Sequence, residues 1–275
     1  MTTQGYCVTT GLHACALAVS PAGGLVACAN AGSDHVSVID VATNQVIDTI
    51  WTKAKPSDLF GASPNALAFD ATGETLFVAN GTQNAVAVLH FEPRDKGDSR
   101  LEGLIPVGWF PGALVFDKAR NTLYAANIKG IPSVPGKSDE GKEGFNSHQY
   151  QGSLSFVPIP SEADLAKLSE LAARNLRSGA IAQAKLPPRE GQPPRAIPER
   201  IGEPSLIEHV VYVIKENRTY DQVFGALGRG RGRADLCIFG REVTPNQHKL
   251  VDEFVLLDNT YCSGILSADG HQWST

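Results

Sequence analysis

Two acid–amide pairs stand in the last third of this 275-residue chain, each at the end of an apolar run. Glu216-Asn217 closes the stretch that begins His209-Val-Val-Tyr-Val-Ile214, and Asp258-Asn259 follows Phe254-Val-Leu-Leu257. A carboxylate beside an amide oxygen offers hard oxygen donors to a divalent cation. A carboxylate at a buried strand end also needs a counter-ion, because an isolated buried charge is costly. The same dipeptide can simply cap the helix that follows, and spacing leaves both readings open. Further on, Ser267-Ala-Asp-Gly-His271 sets a hydroxyl four residues before an imidazole, with a glycine between them to let the backbone turn tightly. Ser267 is therefore a candidate nucleophile beside Thr219, Ser263 and Ser274, although Ser267 and Asp269 also suit a plain turn.

These residues need strands and a helix to position them. A continuous apolar run is the pattern of a strand buried on both faces of a parallel sheet. Thr244-Pro245 predicts a helix start, with Thr as the cap and Pro in the first turn, and the helix should run to about Glu253. The two strands would then carry their acid–Asn pairs to the carboxyl edge of the sheet, where open α/β sheets bind ligands. Between them Arg229-Gly-Arg-Gly-Arg233 reads as a solvated flexible loop, with phosphate contact as the alternative.

The first half is a repeat. Gly11-Leu-His-Ala-Cys-Ala-Leu-Ala-Val-Ser20, Gly61-Ala-Ser-Pro-Asn-Ala-Leu-Ala-Phe-Asp70 and Gly108-Trp-Phe-Pro-Gly-Ala-Leu-Val-Phe-Asp117 align without gaps. Each continues through a turn into a second strand that ends in Asn30, Asn80 or Asn127. Val36–Asp40 and Ala85–Leu89 supply third strands, and Gln45–Ile50 a fourth. Four short strands per period of about 40–50 residues is the signature of a propeller blade. Leu17, Leu67 and Leu114 are expected at equivalent positions in the inner strands. About three blades are countable, fewer than the four to eight of closed propellers, so blades are missing upstream or the sheet array is open. Residues 129–150 read as a long surface insertion before Gly152–Val157 resumes a strand.

A helix begins at Ser161, with Leu165, Leu168, Leu171, Ala172 and Leu176 in one apolar stripe and Ser178-Gly179 as its stop. Residues 187–204 hold six of the 17 prolines and form a spacer or strap. The expected fold is thus mainly β: a partial β-propeller over 1–160, a helix and proline-rich linker over 161–206, and an incomplete α/β domain over 207–275. Net charge is −5, which argues against a nucleic-acid binder, and no apolar stretch is long enough for a membrane span. The first 30 residues show no signal peptide. Five cysteines, an odd and sparse set without a CxxC, exclude a disulfide framework and argue against a structural zinc site. Cys7, Cys15 and Cys28 read as small core residues, while pairing of Cys237 with Cys262 stays open. His13, His35 and His90 read as structural or surface groups, and His148 sits in the insertion without an assignable role.

The repeats resemble the YVTN-type β-propeller family over about residues 11–160, with Leu67-Ala-Phe-Asp-Ala-Thr-Gly73 and Phe77-Val-Ala-Asn80 the best match. The stretch Ile207–Gly225, with Glu216-Asn217-Arg218, an aromatic residue, Asp221 and Phe224-Gly225 in register, resembles the opening of the phosphoesterase family that includes phospholipases C and acid phosphatases. Thr219 and Tyr220 stand where Ser and Phe are commoner. The end of the chain resembles bacterial proteins that fuse the two modules. This resemblance implies an alkaline-phosphatase-like fold, hydrolysis of phosphate mono- or diesters assisted by a divalent metal ion, Glu216 and Asn217 as metal ligands, and His271 near the phosphate. Ser267–His271 also resembles the Ser-x-x-Gly-His element of cofactor-independent phosphoglycerate mutases, whose Ser is the nucleophile, whereas phospholipase C-type members take theirs from further downstream. Such domains need several hundred residues, so the chain is expected to be a fragment, inactive by itself. The resemblance implies a phosphoester small molecule or lipid as substrate, a periplasmic or secreted location and room for a protein partner at the propeller. A non-catalytic binding scaffold with a degenerate hydrolase-like module is the alternative.

Overall fold

A computed structural model describes residues 7–55, 58, 61–95, 97–129, 151–258, 260 and 267–274, of which the side chains of residues 268, 269, 272 and 273 are excepted. The chain divides into two compact units, Met1–Pro187 with Ser263–Thr275, and Pro188–Cys262.

The first unit is built on three antiparallel sheets. The first contains β1 (Ala14–Val19), β2 (Leu25–Asn30), β3 (His35–Asp40) and β4 (Gln45–Trp51) in that spatial order. The second contains β5 (Pro64–Phe69), β6 (Thr75–Asn80), β7 (Ala85–His90) and β8 (Arg100–Pro106), again in chain order. The third orders β11 (Ser153–Pro158), β10 (Thr122–Lys129) and β9 (Trp109–Asp117). Short alternating strands joined by tight turns make meanders because each strand finds its partner locally. Asp70 and Asp117 hold the first turns of the second and third sheets, their Oδ1 atoms accepting from Gly73 N at 2.7 Å and Ala119 N at 2.9 Å.

The repeat is exact in register. Leu17 pairs with Cys28, Leu67 with Val78 and Leu114 with Ala125, at the same offset in all three sheets. The three leucines occupy equivalent positions, as expected. Each first strand is also approached through a left-handed residue, His13 (φ 53°), Ser63 (φ 50°) or Phe110 (φ 57°). The glycine ahead of it has a steric reason. A Cβ on Gly11 would lie 2.8 Å from Asn30, and one on Gly108 would overlap the Asn127 amide. Asn30, Asn80 and Asn127 are buried, and their side-chain amides bridge strand ends, as in Asn30 Nδ2 to Ser37 Oγ at 2.9 Å and Asn127 Nδ2 to Ser155 Oγ at 2.9 Å.

The sheets stack face on face in chain order. Leu25, Ala27, Val36, Val38 and Ile50 of the first meet Leu67, Leu76, Val78, Ala87 and Leu89 of the second. The opposite face of the second, with Ala66, Phe77, Ala79, Val86 and Val88, meets Leu114, Phe116, Leu123 and Ala125 of the third. Each sheet thus has a leading face, which carries the repeat leucine, and a trailing face. Burial of these layers supplies the main stabilising term of the unit.

Helix α1 (Glu162–Asn175) starts where the sequence places it, Ser161 Oγ accepting from Asp164 N at 3.2 Å. It lies on β8, where Gly103 leaves room: a Cβ there would be 2.6 Å from Ser169 Oγ and 2.7 Å from Leu165. Ser178-Gly179 does not end it. Leu176 caps it, left-handed Arg177 breaks the direction, and α2 (Ser178–Ala184) begins at the expected stop.

In the second unit the proline-rich stretch is pinned rather than loose. Arg189 Nε donates to Glu203 Oε1 at 2.7 Å and its Nη2 to Oε2 at 3.0 Å, while the backbone N–H groups of Arg189 and Arg200 also donate to this carboxylate. The Arg189 guanidinium holds the Glu203 carboxyl down at about 2, from an ordinary 4.5. A depressed carboxyl favours the folded form above its unfolded value and loses that contribution as pH falls through the folded one. The strap should therefore stay closed at pH 5 and open between about pH 4.5 and pH 2, read as amide exchange at Arg189 and Arg200. Glu203→Gln should open it at neutral pH; equal protection in the variant would refute this.

The remaining elements are α3 (Tyr220–Phe224), a 3-10 turn at Ala234–Leu236 and α4 (Pro245–Glu253), with α5 (Ser267–Ser274) grouped in the first unit. Helix α4 has Pro in its first turn and ends at Glu253 as predicted, but the Thr244 hydroxyl donates to Phe239 O at 2.8 Å instead of capping it. The two expected buried strands are not formed. His209–Ile214 and Phe254–Leu257 belong to no sheet, and Val211 and Val255 are 86% and 82% exposed. A parallel strand needs neighbours on both sides and cover on both faces. Two short runs some 40 residues apart in sequence cannot supply these to each other.

Candidate functional site

The segment Lys215–Arg218 leads directly into α3, and the helix has its own cap. Thr219 Oγ1 accepts from Gln222 N at 3.4 Å, and Gln222 Oε1 accepts from Thr219 N at 3.1 Å, a reciprocal capping box. The helix-cap reading of Glu216 and Asn217 is thereby taken by Thr219, whose hydroxyl is committed to that bond. Glu216 and Asn217 are exposed side chains just ahead of the cap. Arg218 donates to Asn217 O at 2.8 Å and lies over the Phe239 ring, 5.0 Å from its centroid.

Sequence reasoning missed what surrounds α3. The glycine–arginine loop folds onto it rather than standing free. Arg233 N donates to Asp221 Oδ1 at 2.8 Å, and Arg231 N donates to Asp258 Oδ2 at 2.7 Å. Three loop and helix glycines permit this approach. A Cβ on Gly225 would overlap Arg233 O, one on Gly232 would sit 2.8 Å from Gly225 O, and one on Gly230 would sit 2.9 Å from both Asp258 Oδ2 and Tyr220 Oη. The Tyr220 hydroxyl is buried here without a hydrogen-bond partner among the described residues, and burial, then the Asp258 and Asp221 charges, push its pKa up. Alternating glycines in a basic run were the available signal, since they mark close backbone approach as well as flexibility. Arg229 and Arg233 pair with Asp252 and Asp235, which reduces the charge left for a phosphate.

Asp258 is therefore bound to the loop backbone, and Asn259 lies outside the described residues. Glu216 and Asn217 have the donor chemistry of a divalent-cation site. Among the described residues, however, no group of three or more His, Cys, Asp or Glu side chains could hold a metal. The pair alone does not meet the coordination number of a hard cation, about six oxygens for calcium or magnesium.

Ser267 and His271 lie on α5, not in a turn, one helical turn apart and hence on the same side of the helix. Both are exposed. Ser274 Oγ donates to Gly270 O at 2.7 Å. Ser263, Cys262 and His148 lie outside the described residues, as does most of the expected insertion. Ser267 and His271 belong to the first unit, Glu216 and Asn217 to the second. Of the three N-terminal cysteines only Cys28 is a core residue; Cys7 and Cys15 are exposed, and Cys237 is a free thiol. His248 is the buried core histidine of the second unit, its Nδ1 3.0 Å from Thr244 Oγ1 and its ring 5.3 Å from that of Phe224.

The first unit also holds a cavity of about 910 Å³ between its second and third sheets, beside the start of α1. Its floor is Phe77, Val88, Phe116 and Leu165, and its rim carries Arg100 and Lys118 against Asp70, Glu102 and Glu162. None of the candidate catalytic or metal-ligating residues read from the sequence lines it.

Compared with protein-family models and with curated proteins, the chain matches none. Among solved structures it is similar to hydrazine synthase of Kuenenia stuttgartiensis, at 20% identity over 46% of this chain and 32% of that one, with a TM-score of 0.36. It is likewise similar to a functionally unknown protein from Desulfotomaculum acetoxidans, at 20% identity over 41% of this chain and 34% of that one, with a TM-score of 0.34. The chain thus spans about a third of either structure, and at these scores neither likeness decides fold or function.

Proposed function

We propose that the chain combines an arc of a YVTN-type β-propeller with the opening part of a metal-dependent phosphoesterase of the alkaline phosphatase superfamily, exported to the periplasm or beyond. Three meanders in repeat register support the propeller part, with β1 beside β5 and β5 beside β9, as inner strands of adjacent blades would lie. The observation that carries the phosphoesterase part is the resemblance over Ile207–Gly225, in which Thr219, and neither Glu216 nor Asn217, caps the helix. In this reading Glu216 and Asn217 would hold part of a divalent cation's oxygen shell, the other ligands lying outside the described residues, and such a cation when bound supplies Lewis-acid chemistry toward phosphoryl oxygens. The resemblance offers Ser267 as a candidate nucleophile, with a residue further downstream as the alternative, and His271 as a candidate phosphate-binding group. The substrate is a phosphate mono- or diester, small molecule or lipid. A second reading, a binding scaffold with a degenerate hydrolase-like module, is favoured by the absence of a metal-ligand cluster among the described residues.

Two experiments bear on this. The purified 275-residue chain, assayed on p-nitrophenyl phosphate and bis-p-nitrophenyl phosphate with Zn²⁺, Mn²⁺ or Ca²⁺, should show no turnover above the metal-containing buffer. Hydrolysis proportional to protein and lost in Glu216→Gln would overturn that expectation. The second is expression of the gene with whatever coding sequence lies in frame beside it. Metal-dependent hydrolysis abolished by Glu216→Gln and by Asn217→Ala supports the enzyme. An inactive product without further Asp and His motifs favours the scaffold.

A further inference from the structure

The cavity between the second and third sheets opens at a place that is filled between the first and second, and the register of the repeat identifies what fills it. Phe91 and Ile159 are equivalent: each follows a third strand, Phe91 N donating to Glu74 O at 2.7 Å and Ile159 N to Asn121 O at 3.0 Å. Phe69 and Phe116 are equivalent in the first strands, opposite Leu76 and Leu123. In the first interface the Phe91 ring stands edge on to Phe69, centroids 4.9 Å apart at 79°, and Phe91 is almost wholly buried. Pro21 closes the rim there, 3.1 Å from where a Cβ on Gly73 would lie. In the second interface both of these groups are smaller. Ile159 stands in place of Phe91, and Ala71 in place of Pro21. Phe77, where the first sheet has Ala27, fills the inner part, and the Phe116 ring stacks on it at 5.9 Å. The outer part is the cavity of about 910 Å³, beside half-buried Phe116 and Ile159.

The rim of this cavity carries charge of both signs. Asp70 is committed to its own turn, Oδ1 accepting from Gly73 N and Thr75 N and Oδ2 from the Thr72 hydroxyl. Arg100 Nη2 lies 3.5 Å from Glu102 Oε1, a loose contact between exposed side chains. Lys118 and Glu162 are exposed and make no ion pair among the described residues. Two cations and two carboxylates are thus open to a ligand, above an apolar wall. A singly charged ligand meets as much repulsion as attraction on such a rim, whereas a zwitterion can pair with both signs.

We propose that this cavity is a binding site for a free aromatic amino acid. The ligand ring takes the place at Phe116 and Ile159 that the Phe91 ring takes at Phe69, an edge-to-face contact that the fold already makes once. The ligand carboxylate pairs with Lys118 and Arg100, and its ammonium group with Glu162 and Glu102. Binding pockets commonly join an apolar wall to a few converging polar groups in this way. The inference uses only the packed sheets of the first unit and the helix beside them. It rests on neither part of the proposed function, and the hydrolysis assays can fail or succeed without touching it.

The test is a titration of the full chain with L-phenylalanine at low salt, followed by amide chemical shifts. A ligand of this size should saturate with a dissociation constant of about 1 mM or below. The shifts should be confined to the cavity, at Thr72, Lys118, Asn121 and Ala166. 3-Phenylpropionate and phenethylamine each lack one charge, and L-leucine lacks the ring; each should bind roughly fivefold more weakly or worse. Ile159→Phe places a ring where the second sheet has Phe91 and should weaken L-phenylalanine about tenfold or more. Lys118→Glu reverses one exposed charge in a turn, so it keeps the test independent of how Ile159→Phe packs, and it should weaken binding about fivefold. No saturation by about 10 mM overturns the site. Binding that survives both substitutions, or shifts elsewhere in the chain, overturns its location. Either single-charge analogue, or L-leucine, binding as tightly as L-phenylalanine overturns the assigned ligand class.

Discussion

Replacing Phe77 by alanine should cost the first unit about 3–5 kcal/mol, the range for truncating a buried aromatic ring. Phe77 is 1% exposed, and its ring lies 5.9 Å from that of Phe116 at an interplanar angle of 25°. It joins the second sheet to the third, so its removal leaves a void between two sheets that are each held internally by ladder hydrogen bonds. Such sheets cannot collapse into the gap without moving as bodies, which places the cost toward the upper end of the range. For a unit of this size the midpoint of thermal unfolding should fall by roughly 6–20 °C. Urea titration should show a lower midpoint at an unchanged slope. Phe156→Ala is the control. It truncates the same aromatic side chain at a mostly exposed position of the third sheet, and it should change stability by less than about 0.5 kcal/mol. A loss below about 1 kcal/mol in Phe77→Ala would show that the two sheets are not packed through this ring.

The contrast between these two phenylalanines also shows where the sequence was legible. The sheets could be read because everything that makes them is local: alternating apolar residues, an aspartate to fix the turn in Asp70 and Asp117, and an asparagine at the end of the second strand. Three gapless copies then fixed the register to the residue, and Leu17, Leu67 and Leu114 fell in equivalent places. What the repeat could not disclose is burial, since Leu17 and Leu114 differ only in whether another sheet precedes them. The same limit governs the candidate site. Val210–Val213 has the composition of a central strand, but composition states only that the segment could be buried, and the partners that would bury it are not among the described residues. Ser267, Asp269 and Gly270 suit a turn as an alternative to a catalytic element, yet such residues disfavour helix by little enough for the surroundings to override them, and Ser267–Ser274 is helical. The glycines of the arginine loop were read as flexibility, whereas Gly225, Gly230 and Gly232 are places where another backbone or side chain comes too close for a Cβ.

Asp34→Ala should be as damaging as a core truncation, although the residue sits in a turn. Asp34 adopts the left-handed conformation, φ 57°, between β2 and β3. Its Oδ1 accepts from Ala62 N at 2.7 Å and Ser63 N at 3.2 Å, the residues that lead into the second sheet. Its Oδ2 pairs with Lys53 Nζ at 3.0 Å, and the Lys53 side chain is 8% exposed. One carboxylate therefore ties the first sheet to the start of the second and neutralises a buried ammonium. The equivalent turn of the second sheet carries Asn84, also left-handed, whose Oδ1 accepts from Phe110 N at 2.9 Å at the start of the third. The amide performs the same connection without the charge. Two terms can thus be separated. Alanine removes both and leaves the Lys53 ammonium with the Asp58 carbonyl at 3.1 Å but without its counter-charge, for an expected loss of about 3–5 kcal/mol. Asparagine keeps the backbone acceptor and tolerates the left-handed backbone, so it should lose about half as much. Adding Lys53→Met to Asp34→Asn should recover part of the remaining loss, because replacing both charges of a buried pair costs far less than removing one. The measurement is a double-mutant cycle by urea unfolding, with a coupling of about 1–3 kcal/mol expected between positions 34 and 53. If asparagine proves as damaging as alanine and the cycle shows no coupling, the two sheets are tied through the packing of their faces and not through this carboxylate.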